Sequence, residues 1–119
     1  MKAMVRKVYG PPDVLALTEV EKPMPKEGEV LVRVQATSLN ASDYEILRGK
    51  PLYGRIVGFF TPKIRILGSD VAGMVEAVDQ GVTRFAPGDA VYGDIFESWG
   101  GFAEWVSTYL APLPGTADL

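Results

Sequence analysis

The chain has 119 residues, 47% of them hydrophobic and 23% charged, which suits one ordinary domain with a core and excludes a disordered or fibrous chain. Twelve basic against fifteen acidic residues leave a net charge of −3, which argues against a nucleic-acid surface, since that needs a basic stripe to displace counterions. Cysteine and histidine are both absent, so disulfides, thiol nucleophiles and imidazole chemistry are excluded together with the usual zinc, copper and haem sites.

The opening MKAMVRKVYG has no apolar run long enough for a signal peptide or a membrane helix, so a soluble, cytoplasmic chain with no membrane partner is expected. Thirteen glycines and nine prolines suit a turn-rich β fold better than a helical bundle. Residues 3–8 read as a first strand, ended by Tyr9-Gly10-Pro11-Pro12, where proline fixes φ and removes donors. Val14 to Val20 alternates as a second strand, and residues 22–28, with two prolines, read as an extended surface connection. Glu29 to Thr37 is the clearest strand. Val30, Val32, Val34 and Ala36 fall on one face, with Arg33, Gln35 and Thr37 on the other.

The period then changes. Ala41 to Arg48 fits two helical turns. Asn40 or Ser42 can cap the free amides, Asp43 and Glu45 sit in the positive first turn, and Gly49 can take a left-handed exit. Residues 50–63, with Leu52, Ile56, Phe59 and Phe60, fit a short helix or an apolar loop. Asp70 to Val78 is a strand apolar on both faces, hence buried, and Gly73 marks a bend or a close backbone approach. Phe85 to Asp89 is a tight turn into a strand over 90–95, and Gly100-Gly101 leads into another over 102–108. Seven or so short strands with one small helix point to a small barrel or sandwich.

Seven stretches, in order and at matching spacing, resemble the N-terminal domain of the medium-chain dehydrogenase/reductase superfamily in its zinc-free, quinone-oxidoreductase-like branch. They are MKA (1–3), YGPPDVL (9–15), GEVLVRV (28–34), SLNASD (38–43), LGSDVAG (67–73), VTRFAPGD (82–89) and GGFAE (100–104). The resemblance implies a mainly β fold, the GroES-like, partly open β-barrel with one or two short helices. It implies NADPH or NADH as cofactor, bound mainly by a C-terminal Rossmann domain. No Gly-x-Gly-x-x-Gly occurs in the chain, so that domain is expected to lie outside these residues and 1–119 to be the substrate-facing part. The implied partners are a small carbonyl, enone or quinone substrate and that second domain. A homodimer is compatible with the resemblance.

The same alignment of motifs suggests site residues. Asn40 stands where zinc-dependent relatives place their first cysteine ligand, and Ser69 where they place histidine, with Asp70 after it; an amide, a hydroxyl and a carboxylate make a poor zinc site, so no metal is expected. Asn40 is the candidate donor to an oxyanion or to the cofactor, Ser42 a candidate proton relay or cap, and Tyr44 a candidate donor one position short of the family's tyrosine. Tyr53, Phe96 and Trp99 are candidate substrate contacts, and Trp99 and Tyr109 are expected on an apolar surface. Asp70 needs a base or backbone amides as partners, with Arg48, Arg55 and Lys63 in reach by sequence. Asp79 stands where the family has glycine, in a turn expected to use positive φ. The alternative reading is a free-standing GroES-like binding or co-chaperonin module without enzymatic activity.

Overall fold

The valine-rich run from residue 30 forms the centre of the molecule. In the computed structural model, which describes residues 1–50, 60–96 and 98–110, it is the strand Val30–Ser38. In chain order the strands are β1 (Lys2–Val5), β2 (Ala16–Glu19), β3 (Val30–Ser38), β4 (Asp70–Val78), β5 (Ala90–Asp94) and β6 (Trp105–Thr108). A single 3-10 turn, Pro12–Val14, precedes β2, and one helix, α1 (Ala41–Arg48), follows β3. The fold is mainly β, as expected of a GroES-like domain.

Two open antiparallel sheets take the place of a closed barrel: β1 with β2, and β5-β4-β3-β6. A bridge between Ala3 and Ala103, with Met4 N–H donating to Phe102 O at 2.9 Å and Glu104 N–H to Lys2 O at 3.1 Å, stitches the small sheet to the segment entering β6. The core of the large sheet is almost pure valine: Val30, Val32, Val71, Val75, Val91 and Val106, with Ile95. β-Branched side chains fit a pleated surface well and lose little rotamer freedom there.

Several expectations shift by a few residues. The second strand starts at Ala16, because proline at the head of the 3-10 turn holds residues 12–14 in a helical bend first. Ala36 is exposed, not on the core face with Val30 and Val32. Register shifts between Leu31 and Val32 and between Val34 and Ala36 change the phase of β3, which also lets Leu31 be buried. β4 buries one face only. Val71, Gly73 and Val75 are buried, while Asp70, Ala72 and Met74 are half-covered. Gly73 serves a close backbone approach: a Cβ there would lie 2.1 Å from Arg33 O.

The aspartate in the turn after β4 works differently from the expectation. Trp99 is the one non-glycine residue at positive φ among the described residues, so Asp79 does not use the left-handed region. Its carboxylate instead accepts the Gly28 N–H at 3.1 Å, tying this turn to the start of β3. That bond and the Gln80 and Gly81 amides hold its pKa below the usual range.

Candidate active site

Two of the four buried polar or charged side chains among the described residues, Asp43 and Ser69, meet at the head of α1. Asn40 is the helix cap: its Oδ1 accepts the Asp43 N–H at 3.2 Å, and the Asp43 carboxylate returns a bond from the Asn40 N–H at 2.9 Å. This reciprocal pair satisfies two of the amides that a helix start leaves free. Gly49, at φ +64, closes the other end in the left-handed conformation.

Asn40 also reaches across to the loop entering β4. Its Nδ2 donates to Ser69 Oγ at 3.1 Å and to Asp70 Oδ2 at 2.8 Å, so its carboxamide is fully committed within the chain. Asp70 Oδ2 takes a further bond from Ser38 Oγ at 3.1 Å, and Thr37 Oγ1 donates to Asp70 O at 2.7 Å. The partners of Asp70 are therefore an amide and a hydroxyl. Neither Arg48 nor Lys63 pairs with it, and Arg55 lies outside the described residues. Arg48 instead donates to the Tyr44 hydroxyl and covers its ring.

Glycine makes this convergence possible. Gly68, at φ +102, lies against the backbone of Gly101 and Phe102, and a Cβ on it would sit 2.7 Å from Phe102 N. The two strand-entry segments therefore touch backbone to backbone, with Gly101 N–H bonded to Gly68 O at 2.9 Å. Ser69, next to Gly68, is fixed in turn by its carbonyl, which accepts the Ile95 N–H at 2.6 Å.

Asp43 is the unusual member of the group. It is 3% exposed, and its Oδ1 has no hydrogen-bond partner. Burial pushes its pKa up; the Asn40, Gly68 and Ser69 amides pull it back in part, and the Asp70 charge adds to the rise.

The remaining candidates separate. Ser42 is half-buried in the first turn, and its hydroxyl has no hydrogen-bond partner among the described residues, the cap having gone to Asn40. Tyr44 is 52% exposed on the outer side of α1, bound to Arg48 and away from the Asn40 cluster. Phe96 is 43% exposed, its ring centroid 5.2 Å from that of Trp99. Trp99 itself is 5% exposed and packs with Ile46, Leu47 and Leu67 under α1. It belongs to the core and not to the expected apolar surface, because a left-handed backbone at φ +57 turns its side chain inward. Tyr109 is exposed as expected. Tyr53 and Phe59 lie outside the described residues.

A groove of about 630 Å³ runs between the 20–29 connection and β6, lined in part by Met24, Trp105 and Tyr109; none of Asn40, Ser42, Tyr44, Ser69 or Asp70 lines it. The polar chemistry and this groove are separate features.

Arg6 was not legible from sequence. It is 1% exposed, with Nε donating to Ile64 O at 2.8 Å and Nη1 to Ile46 O at 2.5 Å and Leu47 O at 3.2 Å. It sits at the negative end of α1, where a cation is favoured. Burial lowers its pKa, yet a guanidinium stays charged in a protein.

Fold and helix-head cluster can now be set beside known proteins. Residues 26–112 match the alcohol dehydrogenase GroES-like domain, and the chain belongs to that family. It is 37% identical over 123 residues to the quinone oxidoreductase of Lama guanicoe, covering 99% of this chain and 35% of that protein. It is 39% identical over 98 residues to the 2-methylene-furan-3-one reductase of Solanum lycopersicum, covering 82% and 24%. Among solved structures, the quinone oxidoreductase from Coxiella burnetii superposes with a TM-score of 0.80 at 31% identity over 92% of this chain and 34% of that one. The chain thus spans about a third or less of the length of these relatives. Among the described residues no helix is long and apolar enough to cross a membrane, and no group of three potential metal ligands occurs.

Proposed function

We propose that this chain is the substrate-side domain of a longer NADPH- or NADH-dependent, zinc-independent oxidoreductase that reduces a carbonyl, enone or quinone. The observation that carries the reading is the Asn40–Ser69–Asp70 hydrogen-bonded cluster at the head of α1, in a family whose relatives are quinone and enone reductases. With neither thiolate nor imidazole in the sequence, hydrogen bonds take the role that a Lewis acid plays elsewhere.

When bound, the nicotinamide supplies a hydride; without a Gly-x-Gly-x-x-Gly turn in this chain, it is held mainly by a Rossmann domain outside these residues. Reduction of such an acceptor would place negative charge on its oxygen. Asn40 exchanges its 3.1 Å bond to the neutral Ser69 hydroxyl for a bond to that oxygen, because a charged acceptor makes the stronger partner. The Ser42 hydroxyl, uncommitted within the described chain, relays the proton, and the exposed ring of Phe96 flanks a planar acceptor.

The test is turnover by the full-length protein. Nicotinamide oxidation with quinone or enone acceptors, unchanged by a zinc chelator, is the expected result. Activity lost to the chelator and restored by zinc overturns the zinc-free reading, and no turnover with any of the three acceptor classes overturns the enzymatic one.

A further inference from the structure

We infer that Arg6 is a positioning residue for Asn40: from the tail of α1 it sets where the head of the helix meets Ser69 and Asp70. The two halves of that cluster stand on separate pieces of chain. Asn40 caps α1, whereas Ser69 and Asp70 stand at the end of the run 64–70 that leads into β4. One side chain bonds both pieces. Arg6 Nη1 donates to Ile46 O at 2.5 Å and to Leu47 O at 3.2 Å, in the last turn of α1, and Nε donates to Ile64 O at 2.8 Å. The Arg6 backbone N–H donates to Arg65 O at 2.9 Å, so the residue is fixed to the 64–70 run while its fork reaches the helix. The Gly10 N–H also binds Leu47 O, at 3.1 Å, but Gly10 lies in the turn after β1 and ties the tail to no part of 64–70.

A guanidinium holds its donors in a rigid plane, so it serves carbonyls from two pieces of backbone only while they keep one mutual geometry. Arg6 is 1% exposed, so water does not compete for those carbonyls. Between the two polar ties lie the apolar contacts of Ile46 and Leu47 with Leu67 and Trp99, which are non-directional and set no fine register. Leu47 stands about 10 Å along the helix from Asn40, at the usual rise per residue. Over two turns the helix moves as a rod, so a shift at the tail becomes a tilt that displaces the head. The Asn40 bonds to Asp70 and Ser69, at 2.8 and 3.1 Å, are distance-sensitive and register such a tilt. The tail anchor matters most when the head is loosened, as when Asn40 gives up its Ser69 bond to a reacting oxygen. That consequence for turnover rests on the proposed function; the placement of Asn40 by Arg6 does not.

The experiment compares Arg6→Lys with Val30→Ala. Arg6→Lys is chosen because Arg6→Met, stripped of charge and fork together, endangers the fold itself. Val30 is 1% exposed in the other core cluster, at the end of β3 away from Ser38, so its truncation costs stability without touching α1 or the 64–70 run. In the folded 119-residue chain, the Asn40 side-chain NH2 resonances are expected to move in Arg6→Lys and to exchange with solvent several-fold faster. In Val30→Ala they are expected to stay at their native positions. Chemical shifts of the folded species do not report how much of the chain is unfolded, so a purely stabilising Arg6 would move neither set. Native Asn40 resonances in Arg6→Lys, or equal movement in Val30→Ala, overturn the inference. In the full-length enzyme, Arg6→Lys is expected to lower kcat by at least ~10-fold with KM for the acceptor unchanged, the pattern of a misplaced group that acts only in the transition state. Added to Asn40→Ala, it should cost nothing further, since both act through one side chain. Losses that add overturn the inference too. A full-length protein that turns over no acceptor overturns the proposed function alone, and the NMR comparison still decides Arg6.

Discussion

At the scale of single residues, Asn40 shows how a structural and a chemical role can share one side chain. Its carboxamide caps α1 through Oδ1 and joins β4 through both Nδ2 hydrogens. Removing it should therefore affect stability and turnover, and two variants separate the effects. Asn40→Ala in the full-length enzyme is expected to lower turnover by at least ~10-fold, from the usual size of one lost oxyanion donor, with a cap loss of about 1 kcal/mol in stability. Asn40→Asp keeps a good cap but replaces the donor with an acceptor facing Asp70. It should keep the cap of α1 but lose stability to the like charge facing Asp70, with turnover no better than in the alanine variant. Asn40→Ala with an unchanged rate constant would take Asn40 out of the chemistry. That a cap stands here was legible, since Asn40 and Ser42 are both capping residues at the start of the helical period, with Asp43 in the positive first turn. That the cap goes to Asn40 and leaves Ser42 free is decided by the backbone, which is extended at Asn40.

The elements divide in the same manner. β3, α1 and β4 were readable almost to the residue, because each carries a strong period and a local stop signal: alternation up to Ser38, Asn40 and Gly49 around the helix, and Asp70 opening a valine run. What was not readable is how α1 is held in place. Arg6 follows β1, far away in sequence, and in an ordinary strand reading it would face water; only the tertiary fold brings it under the Ile46, Leu47 and Ile64 carbonyls. The ring of Tyr9, 5.0 Å from the guanidinium carbon, completes the enclosure. Arg6→Met leaves buried carbonyls without donors, at roughly 1–3 kcal/mol for each one left unsatisfied. The expected loss is thus several-fold larger than for an exposed substitution, read as a lower denaturation midpoint with an unchanged m value. Arg6→Lys keeps the charge but offers a single ammonium in place of a planar fork, so it should recover only part of the loss. Full stability in Arg6→Lys would mean that charge at the helix end, and not the geometry of the fork, holds α1. The same long-range logic explains Trp99: its sequence neighbours Gly100 and Gly101 suggested an open loop, whereas the close contact of Gly68 with Gly101 draws that loop onto the core and folds the indole beneath the helix.

For the whole molecule, the distribution of exposed apolar side chains carries the last expectation. Leu39 is 80% exposed, Tyr44 52%, Phe96 43% and Tyr92 38%. Leu39, Phe96 and Tyr92 gather around one end of the large sheet, because Ser38, Asp70 and Asp94 are register partners there, Leu39 follows Ser38, and Tyr92 and Phe96 flank Asp94. This is also the end that carries the Asn40 cluster, so the candidate site is bordered by uncovered apolar side chains. Singly, such residues are ordinary on a protein surface; gathered at one place they favour association. The isolated 119-residue chain is therefore expected to self-associate with rising concentration, and the effect should persist or grow in high salt because it does not depend on ion pairs. Leu39→Ser together with Phe96→Ser should reduce it, both positions being exposed and outside the two core clusters. Tyr109→Ser, at the rim of the separate groove, should have little effect. Sedimentation velocity over a range of concentrations distinguishes the cases. A monomer at every concentration would show that the polar cluster alone, through Ser38, Asp70 and Asp94, keeps this end of the sheet solvated, and that its apolar neighbours are too scattered to act together.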